Sequence, residues 1–151
     1  MKVLVIGSGG REHAICWALN KSKKVDKIYC SPGNAGTDKI AINAKIDVSN
    51  FRNLEKFIKK ERIDLVIVGP EKPLVNGIVD FLEKKKIRVF GPNKYSSQLE
   101  GSKTFTKKIC DKYNIPTAKF KIIKNKDNLS KILEIFSLPI VVKADGLAAG
   151  K

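Results

Sequence analysis

Lys2-Val3-Leu4-Val5-Ile6 runs without interruption into Gly7-Ser8-Gly9-Gly10. The apolar run is partly β-branched and reads as a buried strand. The glycines make a tight turn, after which Ala14, Ile15, Ala18 and Leu19 recur at helical spacing. Strand, glycine-rich turn and helix in that order leave backbone N–H groups pointing outward at a helix N-terminus. The helix dipole favours an anion there, and glycine lets a phosphate approach backbone that a Cβ would screen. The same glycines could also serve the turn alone.

The turn matches a dinucleotide fingerprint only in part. Gly7-Ser8-Gly9 fits the first half of G-x-G-x-x-G, but position 12 is Glu rather than Gly or Ala. The second apolar run, 27–30, leads into Ser31-Pro32-Gly33-Asn34-Ala35-Gly36-Thr37 with no carboxylate at its tip to hold ribose hydroxyls. This points to one phosphate and a small sugar rather than to NAD.

Further along, the pattern repeats. A first helix is expected over 11–22 and an extended piece over 40–47. Ser49 or Asn50 can cap a helix that carries Phe51, Leu54, Phe57 and Ile58 on one face. The run 63–68 is apolar enough for the interior of a parallel sheet. It ends in Gly69-Pro70-Glu71-Lys72-Pro73, followed by a helix with Leu74, Val75, Ile78, Val79 and Leu82 and a strand over 87–90 ending in Gly91-Pro92-Asn93. The alternation implies an α/β fold: an open parallel sheet with helices on both faces. Ligands in such sheets bind at the C-terminal strand ends, where all four unusual loops fall.

After residue 93 the pattern shifts. A polar helix over 94–100 meets Gly101-Ser102-Lys103, and another helix covers 104–113. Strands are expected at 120–123 and 140–143, with an amphipathic helix between them carrying Leu129, Ile132, Leu133 and Phe136. The last residues, Asp145-Gly146-Leu147-Ala148-Ala149-Gly150-Lys151, form a glycine-rich loop with no element after it. The 151 residues allow one domain and part of another, so the tail reads as the beginning of a second domain. Gly150-Lys151 lacks the following Ser or Thr and the glycine spacing of a P-loop. Lys103 and Lys143, each beside a small-residue turn, fit a site for nucleotide phosphates, although a lone lysine is ordinarily a surface residue.

Bulk composition narrows the partners. Cys16, Cys30 and Cys110 are far apart and in no C-x-x-C pair, which suits free thiols in a reducing cytoplasm. Cys16 falls in the core of the first helix or at its border. No apolar run approaches a membrane span, and the N-terminus has no signal-peptide pattern. The net charge of +15 suggests nucleic acid, yet only Arg11, Arg52, Arg62 and Arg88 are arginine and the other basic residues are lysines crowding helix faces and ends. Solvated faces explain them better, and the basic field can attract phosphorylated substrates.

Six motifs, in order, resemble one family. They are Gly7-Ser8-Gly9-Gly10-Arg11-Glu12-His13-Ala14, Ser31-Pro32-Gly33-Asn34-Ala35-Gly36-Thr37, 68–77, Phe90-Gly91-Pro92, Leu99-Glu100-Gly101-Ser102-Lys103 and 142–151. The set is similar to the signature of the phosphoribosylamine–glycine ligases, or glycinamide ribonucleotide synthetases, of the ATP-grasp superfamily. The resemblance implies a Rossmann-like, pre-ATP-grasp domain over 1–100 that binds phosphoribosyl. It also implies a linker and the truncated beginning of an ATP-grasp domain over 101–151. The implied reaction joins glycine to 5-phosphoribosylamine through glycyl phosphate, with ATP as phosphoryl donor and Mg²⁺ or Mn²⁺ as metal.

The same resemblance implies roles for particular residues. Gly9, Gly10 and Arg11 would line the phosphate pocket, and Asn34, Gly36 and Glu71 would face the ribose. Lys103 and Lys143 would reach ATP, with Gly146 to Lys151 forming a loop over its phosphates. No catalytic residue is assigned. His13 is expected to pack or orient, and Glu12 to favour the helix N-terminus electrostatically. The metal ligands and most of the adenine pocket would lie outside these residues, so this chain alone is expected to be inactive. The rival readings are another ATP-grasp ligase or carboxylase, a non-catalytic phosphate-binding or nucleotide-binding module and, last, a nucleic-acid binder.

Overall fold

The computed structural model describes residues 1–124 and 129–148. The chain divides into two compact units, Met1–Ser97 and Gln98–Lys151. The first contains β1 (Lys2–Gly7), α1 (Gly10–Asn20), β2 (Lys27–Pro32), a 3-10 turn (Thr37–Lys39), β3 (Ile42–Asn43), α2 (Phe51–Glu61), β4 (Leu65–Val68), α3 (Glu71–Val75), α4 (Ile78–Lys84) and β5 (Val89–Phe90). The strands form one all-parallel sheet in the order β3-β2-β1-β4-β5.

β1 occupies the middle because both of its faces are apolar. Leu4 and Ile6 join Leu54, Ile58, Ile78, Val79 and Leu82 from α2 and α4 in one core. Val3 and Val5 join Cys16 of α1 and Ile28 and Cys30 of β2 in another. Helices thus cover both faces, as the alternation of elements implies. Cys16 and Cys30 are fully buried and free, and Cys110 is also free. A hydrogen bond between the Cys16 and Cys30 thiols, together with burial, holds the Cys16 thiol well above the ordinary range, which keeps it unreactive.

Several boundaries differ from the sequence reading, each for a local reason. Of the two caps expected for α2, Asn50 is the one used, as read, with its Oδ1 accepting the Asn53 N–H at 3.1 Å, whereas the Ser49 hydroxyl donates to Asp47 at 2.6 Å. The helix expected from Leu74 to Leu82 is two helices, because Gly77 at φ 89° takes a left-handed conformation that ends α3. The extended piece over 40–47 pairs only at Ile42–Asn43.

The second unit contains α5 (Gln98–Gly101), α6 (Lys103–Lys112) and α7 (Leu129–Leu133). The polar helix expected over 94–100 is helical only from Gln98. Residues 94–97 form a turn, with the Ser97 hydroxyl donating to the Asn93 carbonyl at 2.7 Å. The strands expected at 120–123 and 140–143 are absent among the described residues. A strand exists through its ladder partners, and among the described residues Val141 and Val142, each 80% exposed, pair with no neighbouring strand. Ile132 is the buried apolar residue of α7.

Candidate functional site

Three strand ends meet beyond the C-terminal edge of the sheet. Gly7 is in register with Pro32, the Gly33 N–H donates to the Gly7 carbonyl at 3.0 Å, and the Gly69 N–H donates to the Ile6 carbonyl at 3.0 Å. Three of the four loops expected to build a site, those beginning at Gly7, Ser31 and Gly69, are therefore neighbours. β1 and β4 are also the pair at which the strand order reverses direction, where a crevice opens in doubly wound sheets.

Glu12 lies between the ends of these two strands, against Gly7 and Gly69. It is 4% exposed, and its Oε2 accepts the Gly9 N–H at 2.7 Å while its Oε1 accepts the Arg11 Nε–H at 3.1 Å. A Cβ on Gly7 would stand 2.4 Å from Glu12 Cγ, and one on Gly69 would stand 2.1 Å from Glu12 Oε1. The two glycines thus leave the space that this side chain fills. Beyond electrostatic support of the helix N-terminus, Glu12 caps α1 by hydrogen bonding and packs against two strand ends. The departure from the dinucleotide fingerprint at position 12 follows from this use of the space.

The outer face of the turn is open. Gly9, Gly10 and Arg11 are exposed, and a Cβ on Gly10 would meet nothing within 4 Å. Arg11 Nη2 donates to Glu71 Oε1 at 3.0 Å, linking the start of α1 to the start of α3. Glu71 and Glu12 together raise the Arg11 guanidinium above its ordinary range. The Glu71 carboxyl is lowered, first by its own backbone N–H and then by Arg11.

Asn34 holds the second loop and ties it to the first. Its Nδ2 donates to the Ser8 carbonyl at 2.8 Å, and its Oδ1 accepts the N–H groups of Gly36 at 2.7 Å and Thr37 at 2.9 Å. The buried Thr37 hydroxyl donates to Asn43 Oδ1 at 2.7 Å, and Asn43 Nδ2 donates to the Asn34 carbonyl at 2.8 Å. Gly36 is where the His13 ring lies: a Cβ there would stand 2.6 Å from His13 Cε1. His13 packs against the loop, as expected of it. Thr37 and Asn43 carry this loop's geometry without having been singled out in the sequence. Their signal, an Asn-x-Gly-Thr turn with an Asn six residues on, is short and common.

Gly9, Gly10, Arg11, Asn34, Gly36 and Glu71 therefore converge on one end of the first unit. An anion at the start of α1 would meet backbone N–H groups and a guanidinium.

Lys103, Lys143 and Gly146 belong to the second unit. Lys103 Nζ donates to the Gly146 carbonyl at 2.7 Å. Asp145 accepts from the Thr104 N–H at 3.2 Å, the Gly146 N–H at 3.0 Å and the Ser102 hydroxyl at 3.0 Å. These bonds, that of Thr104 foremost, lower the Asp145 carboxyl to about 2. The segments 101–103 and 145–146 are thus brought together. Lys143 is exposed, and Lys151 lies outside the described residues. Among the described residues, no three His, Cys, Asp or Glu side chains cluster so as to hold a metal ion. No described helix is long and apolar enough to cross a membrane.

Residues 1–100 match the model of the phosphoribosylglycinamide synthetase N domain, and residues 101–151 match that of the ATP-grasp (A) domain of the same synthetase. The chain belongs to the phosphoribosylglycinamide synthetase family. It is 48% identical to the phosphoribosylamine–glycine ligase of Clostridium acetobutylicum and 50% identical to that of Caldanaerobacter subterraneus subsp. tengcongensis, over all 151 residues in both cases. It spans 36% of the length of each. The crystal structure of the Thermotoga maritima phosphoribosylamine–glycine ligase matches the whole chain with 36% identity and a TM-score of 0.77, over 34% of its own length. N5-carboxyaminoimidazole ribonucleotide synthetase from the same organism shares the fold over 91% of this chain and 37% of its own, at 19% identity and a TM-score of 0.65. The synthetase family thus accounts for both units, and the glycine-rich turn, the Asn34 loop and Glu71 all fall in its N domain.

Proposed function

We propose that this chain is the N-terminal part of an ATP-dependent ligase that joins glycine to 5-phosphoribosylamine. In this reading residues 1–100 bind the phosphoribosyl group, and residues 101–151 are a linker and the beginning of the ATP-grasp domain. The observation that carries it is the convergence of the Gly9-Gly10-Arg11 turn, the Asn34 loop and Glu71 on one end of the sheet. The turn supplies N–H groups and a guanidinium for the phosphate. Asn34, Gly36 and Glu71 face the ribose, and Glu71 is an acceptor for its hydroxyls.

In the reaction, a carboxylate oxygen of glycine attacks the γ-phosphorus of ATP, and ADP leaves. The amine of 5-phosphoribosylamine then attacks the acyl carbon of glycyl phosphate, and phosphate leaves as the amide forms. Activation turns a poor electrophile into a good one and divides a hard step in two. Lys103, Lys143, Gly146 and Lys151 are assigned to ATP. Lys103 is already anchored on the Gly146 carbonyl. The ligands of Mg²⁺ or Mn²⁺ would come from the rest of the longer protein. The exposed Leu138, Val141 and Val142 fit a segment that packs within a larger domain. Three free thiols fit a cytoplasmic protein. Neither nucleic acid nor membrane enters this reading.

The test is product formation. The longer protein that continues this chain is expected to convert glycine, 5-phosphoribosylamine and ATP into glycinamide ribonucleotide, ADP and phosphate, and failure to do so would overturn the reading. The 151-residue chain is expected to bind ribose 5-phosphate without turnover. Binding by a longer protein that forms no product would favour a non-catalytic module instead.

A further inference from the structure

We propose that Glu12 is a positioning residue for Arg11 in the phosphate site, an inference that rests on the reading of that site given above. Its carboxylate is buried where an acidic side chain is disfavoured unless bonded. One of its oxygens is committed to the Gly9 N–H and the other to the Arg11 Nε–H. The first bond sets the start of α1. The second holds the base of a guanidinium whose Nη2 reaches Glu71. Gly7 and Gly69 confine the carboxyl group from two sides, so it cannot follow Arg11 if Arg11 swings away. Arg11 itself has an exposed side chain, and its stem would otherwise sample many rotamers. Glu12 thus holds the cation ready without touching the ligand.

Glu12→Gln separates the two functions. Its amide oxygen can still accept the Gly9 N–H, but its NH₂ group then meets the Arg11 Nε–H donor to donor. The cap survives and the hold on Arg11 is lost. Binding of ribose 5-phosphate to the 151-residue chain, followed by calorimetry, is expected to weaken roughly tenfold in Glu12→Gln. Arg11→Ala weakens it as well, and the double variant is expected to be no weaker than Arg11→Ala alone, because the two residues act as one unit. A purely structural Glu12 would instead give additive losses that follow the melting temperature.

Arg11→Lys is the second variant, and it leaves Glu12 and the cap untouched. It keeps the positive charge but has no Nε–H for Glu12, and its affinity is expected to fall as far as that of Glu12→Gln. Wild-type affinity in Arg11→Lys, or in a folded Glu12→Gln, would overturn the proposal, as would additivity. If the wild-type chain does not bind ribose 5-phosphate, the reading of the site fails and this inference with it. Binding by wild type with unaltered binding in the variants refutes the positioning role alone.

Discussion

Asn34 Nδ2 donates to the Ser8 carbonyl at 2.8 Å and so joins the loop after β2 to the turn after β1. The opposite side of the same amide accepts two backbone N–H groups within its own loop. An amide is required, because no other side chain of this length both donates and accepts. Asn34→Asp keeps the acceptors and loses the donor, and it sets a carboxylate beside the Ser8 carbonyl. Urea unfolding is expected to show a loss of about 1–3 kcal/mol. A stability equal to wild type would mean that the two loops are not tied through this bond.

Gly69 and Glu12 occupy one space. A Cβ on Gly69 would stand 2.1 Å from Glu12 Oε1, and that carboxyl group cannot retreat without breaking its bonds to Gly9 and Arg11. Gly69→Ala is expected to lose roughly 1–3 kcal/mol. In a Glu12→Ala background the same substitution should be nearly neutral, since the space is then empty. A double-mutant cycle in denaturant measures this coupling. Strict additivity would contradict the shared space.

Much of the first unit was legible because period and punctuation agreed. The strand at Val3 to Ile6, the cap near Asn50 and the interior run ending at Val68 each follow from local chemistry. The meeting of the loops at Gly7, Asn34 and Gly69 follows from parallel topology, which places alternate connections at one edge. Glu12 was harder to read. Its burial depends on Gly69, 57 positions further along, and a carboxylate beside a helix start is ordinarily an exposed partner of the dipole. The Arg11–Glu71 pair was hidden for the same reason, as each residue pointed to a ligand and neither pointed to the other. At Phe120 and Ile140, apolar β-branched runs carried a strand signal, but a ladder depends on neighbours that local sequence does not contain.

Arg62 ends α2 in the left-handed conformation, at φ 56° and ψ 55°. Its Cβ is crowded there, and glycine would not be. Arg62→Gly is expected to raise stability by up to about 1 kcal/mol by relieving that crowding at the cap. Thermal or chemical denaturation checks this. A clear loss would mean that the Arg62 side chain contributes more than its backbone conformation takes away.

The second unit should respond to acid through Asp145. Its folded value of about 2 lies below the ordinary 3.8, so the stabilisation is present above 3.8 and fades as pH falls through about 2. Backbone amide signals of Thr104 and Gly146, followed by NMR across this window, are expected to shift together in the wild-type protein. Asp145→Asn should remove that titration and leave the first unit unchanged. Persistence of the transition in Asp145→Asn would assign it to another carboxyl group.

Gly10 separates stability from binding. It is the first residue of α1, and a Cβ there would meet nothing within 4 Å. Alanine is a better helix former than glycine by up to about 1 kcal/mol, so Gly10→Ala is expected to fold as well as wild type or slightly better. If the Gly9-Gly10-Arg11 turn receives a phosphate, the open space beside Gly10 is where the ligand's oxygens approach the backbone, and a methyl group there would hold them off. The variant should therefore lose affinity for ribose 5-phosphate, by roughly tenfold for one displaced charge-assisted hydrogen bond, while its melting temperature stays level or rises. Unchanged affinity would move the phosphate away from this turn. A fall in both affinity and melting temperature would show that Gly10 has a structural role that the open space around it does not reveal.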